Sequence, residues 1–141
     1  MAVGNKNQAI AGLGTHHIAI QTSNWDESVQ FYTDVMGMEQ VKQGGSAERR
    51  VVLLDIGDGS YMEIFEPTPD SPRSADEVIN NTPHHFALTT IDIEAAVERV
   101  RNAGMEITTE IKTLDLGHLN ITIAFFTGPS GEVVEFFQVN N

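Results

Sequence analysis

The chain has 141 residues, 40% of them hydrophobic, with twenty acidic against eight basic side chains and no cysteine. That length and apolar fraction suit one domain with its own core, while a formal charge of −12 repels phosphate backbones and anionic membranes, so neither nucleic acid nor a membrane is expected as a partner. Without thiolates any bound metal must take nitrogen and oxygen ligands; with no apolar leader and no run near the roughly 20 apolar residues of a membrane span, a cytoplasmic protein is expected.

Residues 1–14 read as a Gly/Asn-containing lead-in. Residues 16–21 alternate as a short strand. From Ser23 onward, Trp25, Val29, Tyr32 and Val35 recur at spacings of three and four, which predicts a helix with Ser23 or Asn24 as N-cap and Gly37 as its stop. Residues 51–56 and 61–65 are apolar runs joined by Gly57-Asp58-Gly59-Ser60, a hairpin signal. Pro67, Pro69, Pro72 and Pro83 mark residues 67–83 as a linker, with a short helix expected over 75–79. A strand at 85–89, a helix over 93–102 stopped by Gly104, and strands near 106–111, 121–126 and 133–139 follow. Pro129-Ser130-Gly131-Glu132 makes the last turn.

The second half repeats the first. His17 lies in HHIAI (16–20) and Gly37-Met38-Glu39 follows it; His85 lies in HHFAL (84–88) and Gly104-Met105-Glu106 follows it. Glu63 in YMEIFE and Glu135 in VVEFFQ come 46 and 50 residues after their histidines. Self-similarity at a fixed offset marks duplicated structural units. The expected organisation is a single domain over 15–141, with module one at 15–66, the linker at 67–83 and module two at 84–139.

Strand alternation separates the paired histidines. His17, Ala19 and Gln21 share one face and Ile18 and Ile20 the other, which would pack on the helix. His85, Ala87 and Thr89 likewise oppose Phe86 and Leu88. Glu63 and Glu135 sit mid-strand among apolar neighbours, where an unpaired carboxylate is costly. Two His and two Glu can hold one divalent metal, which would offset that cost. The competing explanation pairs both glutamates with arginines, yet Arg49, Arg50, Arg73, Arg99 and Arg101 mostly fall in loop or helix contexts. His16 and His84 read as structural and His118 is unassigned.

These residues, together with SVQFYTDVMGME (28–39) and FFTGPSGEVVEFFQ (125–138), resemble the vicinal oxygen chelate superfamily over about residues 13–139. The resemblance implies an α+β fold in which two βαβββ modules in tandem form a U-shaped mixed sheet cup, often completed between the subunits of a homodimer. It implies His17, Glu63, His85 and Glu135 as ligands of one divalent ion (nickel, cobalt, zinc, manganese or iron), the set found in glyoxalase I of the bacterial type. Extradiol dioxygenases and fosfomycin-resistance enzymes resemble a three-ligand pattern that the additional Glu63 argues against. The implied activity is a metal-dependent lyase or isomerase, moving a proton between adjacent oxygen-bearing carbons of a small chelating substrate such as a hemithioacetal. Glu135 would carry the proton, with Glu63 as second candidate.

Two positions depart from the relatives. Glyoxalase I proteins resemble one another in an Arg four residues after the first ligand, where it binds a carboxylate of glutathione; here Gln21 stands there as a candidate substrate contact, without the charge for a bidentate pair. EIFEPTPDSP (63–72) resembles methylmalonyl-CoA epimerases, which carry a second catalytic Glu on the preceding strand, where RRVVLLDIG (49–57) supplies Leu53. An epimerase-like enzyme and a non-catalytic small-molecule binding or resistance protein are the alternatives. A structural module is the third; Trp25, Phe31 and Tyr32 would invite it as an exposed aromatic patch, but at helical spacing they read as core or dimer contacts.

Overall fold

The computed structural model describes residues 9–11, 15–67, 85–117 and 119–140. The expected short helix over 75–79, most of the linker, His84 and His118 lie outside the described residues.

Period-two burial governs the strands. In β1 (His17–Gln21), Ile20 is buried and His17, Ala19 and Gln21 are exposed. It pairs in parallel with β4 (Tyr61–Phe65), whose Met62 and Ile64 are fully buried. β3 (Arg50–Asp55) pairs antiparallel with β4, and β2 (Glu39–Gly45) pairs antiparallel with β3, giving the order β1-β4-β3-β2. The second half repeats this with β5 (Phe86–Thr89), β6 (Glu106–Asp115), β7 (Asn120–Thr127) and β8 (Val133–Asn140) in the order β5-β8-β7-β6, with β5 parallel to β8. These two four-stranded mixed sheets, each with a helix after its first strand, constitute the expected α+β class.

The strand β2 was not visible in the periodicity. All seven of its residues are exposed and a bulge interrupts its register between Gln40 and Lys42, so neither face carries an apolar alternation. Its only sequence trace was the Gly-Met-Glu that also precedes β6.

Helix α1 (Trp25–Gln30) continues into a π turn over Phe31–Val35, where Met36 N–H donates to the Phe31 carbonyl at 3.0 Å. The expected single α-helix is thus widened in its second half. Asn24 occupies the N-cap position without a side-chain cap bond. Gly37, at φ +73°, ends the segment where the left-handed region favours glycine. Trp25, Ser28, Phe31 and Tyr32 are buried, so the aromatic residues belong to the core and do not form a surface patch. Helix α2 (Ile93–Asn102) has the expected bounds and buries Ile93, Val97 and Val100. Asp92 Oδ1 accepts from Ala95 N–H at 3.1 Å and Gln138 Oε1 from Ile93 N–H at 2.8 Å, which satisfies two N-terminal donors.

One hydrophobic cluster draws on both halves, from Ile20, Trp25, Phe31, Leu54 and Ile64 to Val97, Phe126, Val134 and Phe136. Phe31 meets Phe126 edge-on with centroids 6.0 Å apart. Beside it, the Tyr32 hydroxyl donates to Glu132 at 2.5 Å, and Thr22, Ser28 and Ser130 close a triangle of hydroxyls at 2.7–2.9 Å.

Glu66, just past β4, receives Arg50 Nε at 2.7 Å and Nη2 at 3.0 Å, and the same guanidinium lies 4.8 Å from the Trp25 ring centroid. The hydrogen bonds from Arg50 hold the Glu66 carboxyl down to about 2 from its ordinary 4.5. A depressed folded-state value contributes stability that is complete above the unfolded value and disappears as pH falls toward the folded one. Thermal denaturation of wild type and Glu66→Gln across pH 2–7 should therefore show a gap in Tm at neutral pH that closes between about pH 4.5 and 2; a gap constant with pH would mean the ion pair contributes nothing.

Candidate active site on the open sheet faces

The helices cover one face of each sheet and leave the other open. The register sets what stands there, because directly paired residues point to the same side. In the first sheet Glu63 lies between Ala19 on β1 and Leu53 on β3. In the second, Glu135 lies between Ala87 on β5 and Phe125 on β7. His17 and His85 each stand two residues before their alanine, on the same face. The duplication seen in the sequence is therefore also one of position: histidine, small residue, carboxylate, apolar residue.

The second row is brought together within the chain. His85 Nε2 and Glu135 Oε2 are 3.0 Å apart, with the His85 ring edge-on to Phe125 at 5.1 Å between centroids. Glu135 is 8% exposed, which makes this polar partner necessary. In the first row Glu63 is half-buried and His17 exposed. His17 Nδ1 lies 2.9 Å from Nδ1 of His16, whose ring also approaches Tyr61 at 5.2 Å. Among the described residues no arginine pairs with Glu63 or Glu135; the arginine ion pairs are Arg50 with Glu66 and Asp26, and Arg101 with Glu110.

The quartet does not converge inside one chain. Among the described residues no group of three or more His, Asp or Glu side chains could hold a metal ion. Each sheet carries one histidine and one glutamate of the candidate quartet.

Gln21 lies on the open face one pleat beyond Ala19, in register with Phe65. Leu53 directly faces Glu63, at the position where an epimerase-like enzyme would need a second carboxylate. Phe125, which walls Glu135, was not singled out in the sequence, although the repeat places it opposite Glu135 as Leu53 is opposite Glu63. No helix among the described residues is long and apolar enough to cross a membrane.

The profile of the Glyoxalase/Bleomycin resistance protein/Dioxygenase superfamily matches residues 14–136. The chain belongs to this superfamily. It is 31% identical to a probable lactoylglutathione lyase of Vibrio cholerae over 124 residues, covering 86% of this chain and 88% of that protein. It is 30% identical to a lactoylglutathione lyase of Haemophilus influenzae, covering 86% and 90%. Among solved structures, TnmS3, an antibiotic binding protein from Streptomyces, aligns with a TM-score of 0.70 at 18% identity over 95% of this chain and all of that one, a likeness of fold.

Removing one member of the buried pair should be felt in stability. In chelator-treated protein His85→Ala leaves the Glu135 carboxylate enclosed without its partner, at an expected loss of about 1–3 kcal/mol. His17→Ala, at an exposed position, should stay within about 0.5 kcal/mol of wild type. Urea denaturation measures both, and equal losses would show that the 3.0 Å contact is energetically silent.

Proposed function

We propose that this protein is a metal-dependent lyase or isomerase of the glyoxalase I kind, moving a proton between adjacent oxygen-bearing carbons of a small chelating substrate such as a hemithioacetal. The observation that carries this is the matched pair of rows, Ala19-Glu63-Leu53 and Ala87-Glu135-Phe125, each with its histidine on the same face. The lactoylglutathione lyase relatives support the same chemistry.

The donor set fits a divalent ion. Two neutral imidazoles and two carboxylates balance a charge of two, and their mixed nitrogen and oxygen character suits nickel, cobalt, zinc, manganese or iron. The 3.0 Å between His85 Nε2 and Glu135 Oε2 brings a nitrogen and an oxygen donor close enough that both could serve one ion. His17, Glu63, His85 and Glu135 would hold the ion. When bound it supplies Lewis-acid stabilisation of negative charge developing on the substrate oxygens.

The chain's own residues do the rest. Glu135 takes the proton from the carbon bearing the hydroxyl and returns it to the neighbouring carbonyl carbon. Glu63 moves the hydroxyl proton to the adjacent oxygen. Ala19 and Ala87 leave room beside each carboxylate, while Leu53 and Phe125 exclude water from the opposite side, which strengthens electrostatic interactions there. Since each sheet supplies one pair, we infer that the site forms in a homodimer, the first sheet of one protomer facing the second sheet of its partner.

Two measurements test this. Glu135→Gln should lower turnover of a hemithioacetal by about 100-fold or more while binding of a chelating inhibitor persists; retained turnover would remove Glu135 from the proton path. Separately, His17→Ala and His85→Ala are each expected to be inactive. Unfolding and refolding them together should restore about a quarter of wild-type activity, because half the dimers are mixed and each of those has one intact site. No restoration would place the whole site within one chain.

A further inference from the structure

The two adjacent arginines of the hairpin between β2 and β3 are sent to opposite faces. Arg50 lies on the helix side, stacked on Trp25 and paired with Glu66. Arg49 lies in the turn just before β3 and reaches the open face through Phe65, which shares that face with Glu63 two residues away. Its guanidinium carbon stands 5.1 Å from the centroid of Phe65, and Phe65 pairs with Gln21 on one side and Val51 on the other. Arg49 Nε donates to the Glu66 carbonyl at 3.2 Å, leaving both terminal nitrogens for another acceptor. No carboxylate pairs with Arg49 among the described residues.

The backbone beneath it is fixed. Ser46 N–H donates to the Arg49 carbonyl at 2.9 Å, and Arg49 N–H returns to the Ser46 carbonyl at 3.2 Å. Gly45 has φ +81°, and a Cβ there would collide with the Arg49 carbonyl oxygen. The turn that carries Arg49 thus tolerates only glycine at that point.

The distribution of cations adds a second observation. Of the eight basic residues, Lys6 and Arg73 lie outside the described residues. Arg50, Arg99 and Arg101 are engaged by Glu66, by the Asp34 and Val35 carbonyls, and by Glu110. The other three, Lys42, Arg49 and Lys112, are on the open faces: Lys42 pairs with Leu53 and Lys112 with Ile123, both of which face that side. In a chain of charge −12, Lys42, Lys112 and Arg49, the last held only through Nε and its stacking on Phe65, all lie on the open faces.

We propose that Arg49 is a specificity residue for the substrate, taking an anionic group, a carboxylate in the first instance, carried several bonds from the vicinal oxygens. This rests on the metal-dependent reading of the site. At about 3.4 Å per residue the Phe65 row lies roughly 7 Å along the sheet from Glu63 and the Arg49 turn roughly 14 Å, the span of a short acyl chain. Because the proposed ion and its two carboxylate ligands sum to zero, the ion leaves no net charge to balance a substrate acid. Arg49, already stacked on an aromatic ring, supplies a planar fork suited to bind one.

Calorimetry of nickel-loaded protein with adipic acid monohydroxamate and with hexanohydroxamic acid, which lacks the distal acid, tests this. Wild type should bind the acid tenfold or more tighter, about the effect of one charge-assisted contact. The preference should fall to within about twofold in Arg49→Gln, survive in part in Arg49→Lys, and persist in Arg101→Gln, which changes a helix-side cation. An equal preference in wild type and Arg49→Gln, or none in wild type, overturns the proposal. If neither hydroxamate binds because the ion is not held, the metal-dependent reading fails by itself. Arg49 is then read in ion-free protein by NMR: adipate should shift the Arg49 Nε–H signal where neutral hexanamide does not, and no shift overturns the proposal.

Discussion

Each sheet holds a carboxylate in its second strand from the edge, and the parallel pairing of first and last strands makes that possible. Because β1 runs alongside β4 and β5 alongside β8, Ala19 and Ala87 are the direct neighbours of Glu63 and Glu135. A larger residue there would close the space beside the carboxylate. The same pairing sends Ile20, Met62 and Ile64 to the helix side, where they are buried, so the apolar and polar faces are fixed by one register. A slip of one residue would bury the glutamates among the helices and expose the core. The hydrophobic effect therefore enforces the placement of the polar residues, although none of them contributes to it.

The two halves are joined on the helix side, away from the open faces. Tyr32 is fully buried and its hydroxyl donates to Glu132 in the β7–β8 turn. Burial, then the charge of Glu132, raises the phenol above its ordinary range, so Tyr32 remains a donor at any ordinary pH. Glu132 also accepts from Ser130 N–H at 2.8 Å and lies where a side chain on Gly128 would collide with it. Ser130 completes the hydroxyl triangle with Thr22 and Ser28. The turn after β7 thus reads the position of the first helix through hydrogen bonds, which are directional, where packing alone would allow sliding.

Much of this was legible because it is periodic. Alternation separated His17 from His16, and the repeat located Glu63 and Glu135 together. The end of α2 follows from Gly104, a residue whose local chemistry stops a helix whatever surrounds it. Three features depend on nonlocal contacts and left no such trace. β2 has no buried face, so its existence rests on pairing with β3. The π turn at Phe31–Val35 lies where Tyr32 must reach Glu132, a partner 100 residues away. The opposite fates of Arg49 and Arg50 rest on partners distant in sequence, Phe65 for the one and Trp25 and Glu66 for the other.

Charge divides the open face into two parts. In the proposed function two histidines and two glutamates carry chelation and proton movement, and the ion they would hold neutralises them. Recognition of the remainder of a substrate must come from groups outside the quartet. At the outer end of the first sheet, Gln21 is uncharged, while Arg49 comes to the same Phe65 from the opposite side. A cation delivered from a hairpin turn, not from β1, would approach the substrate at a different angle and suit a molecule of different length. The proposed chemistry can therefore be retained while its substrate changes, because the two glutamates sit mid-strand under strict register control and the proposed recognition residues sit at a strand end and in a turn.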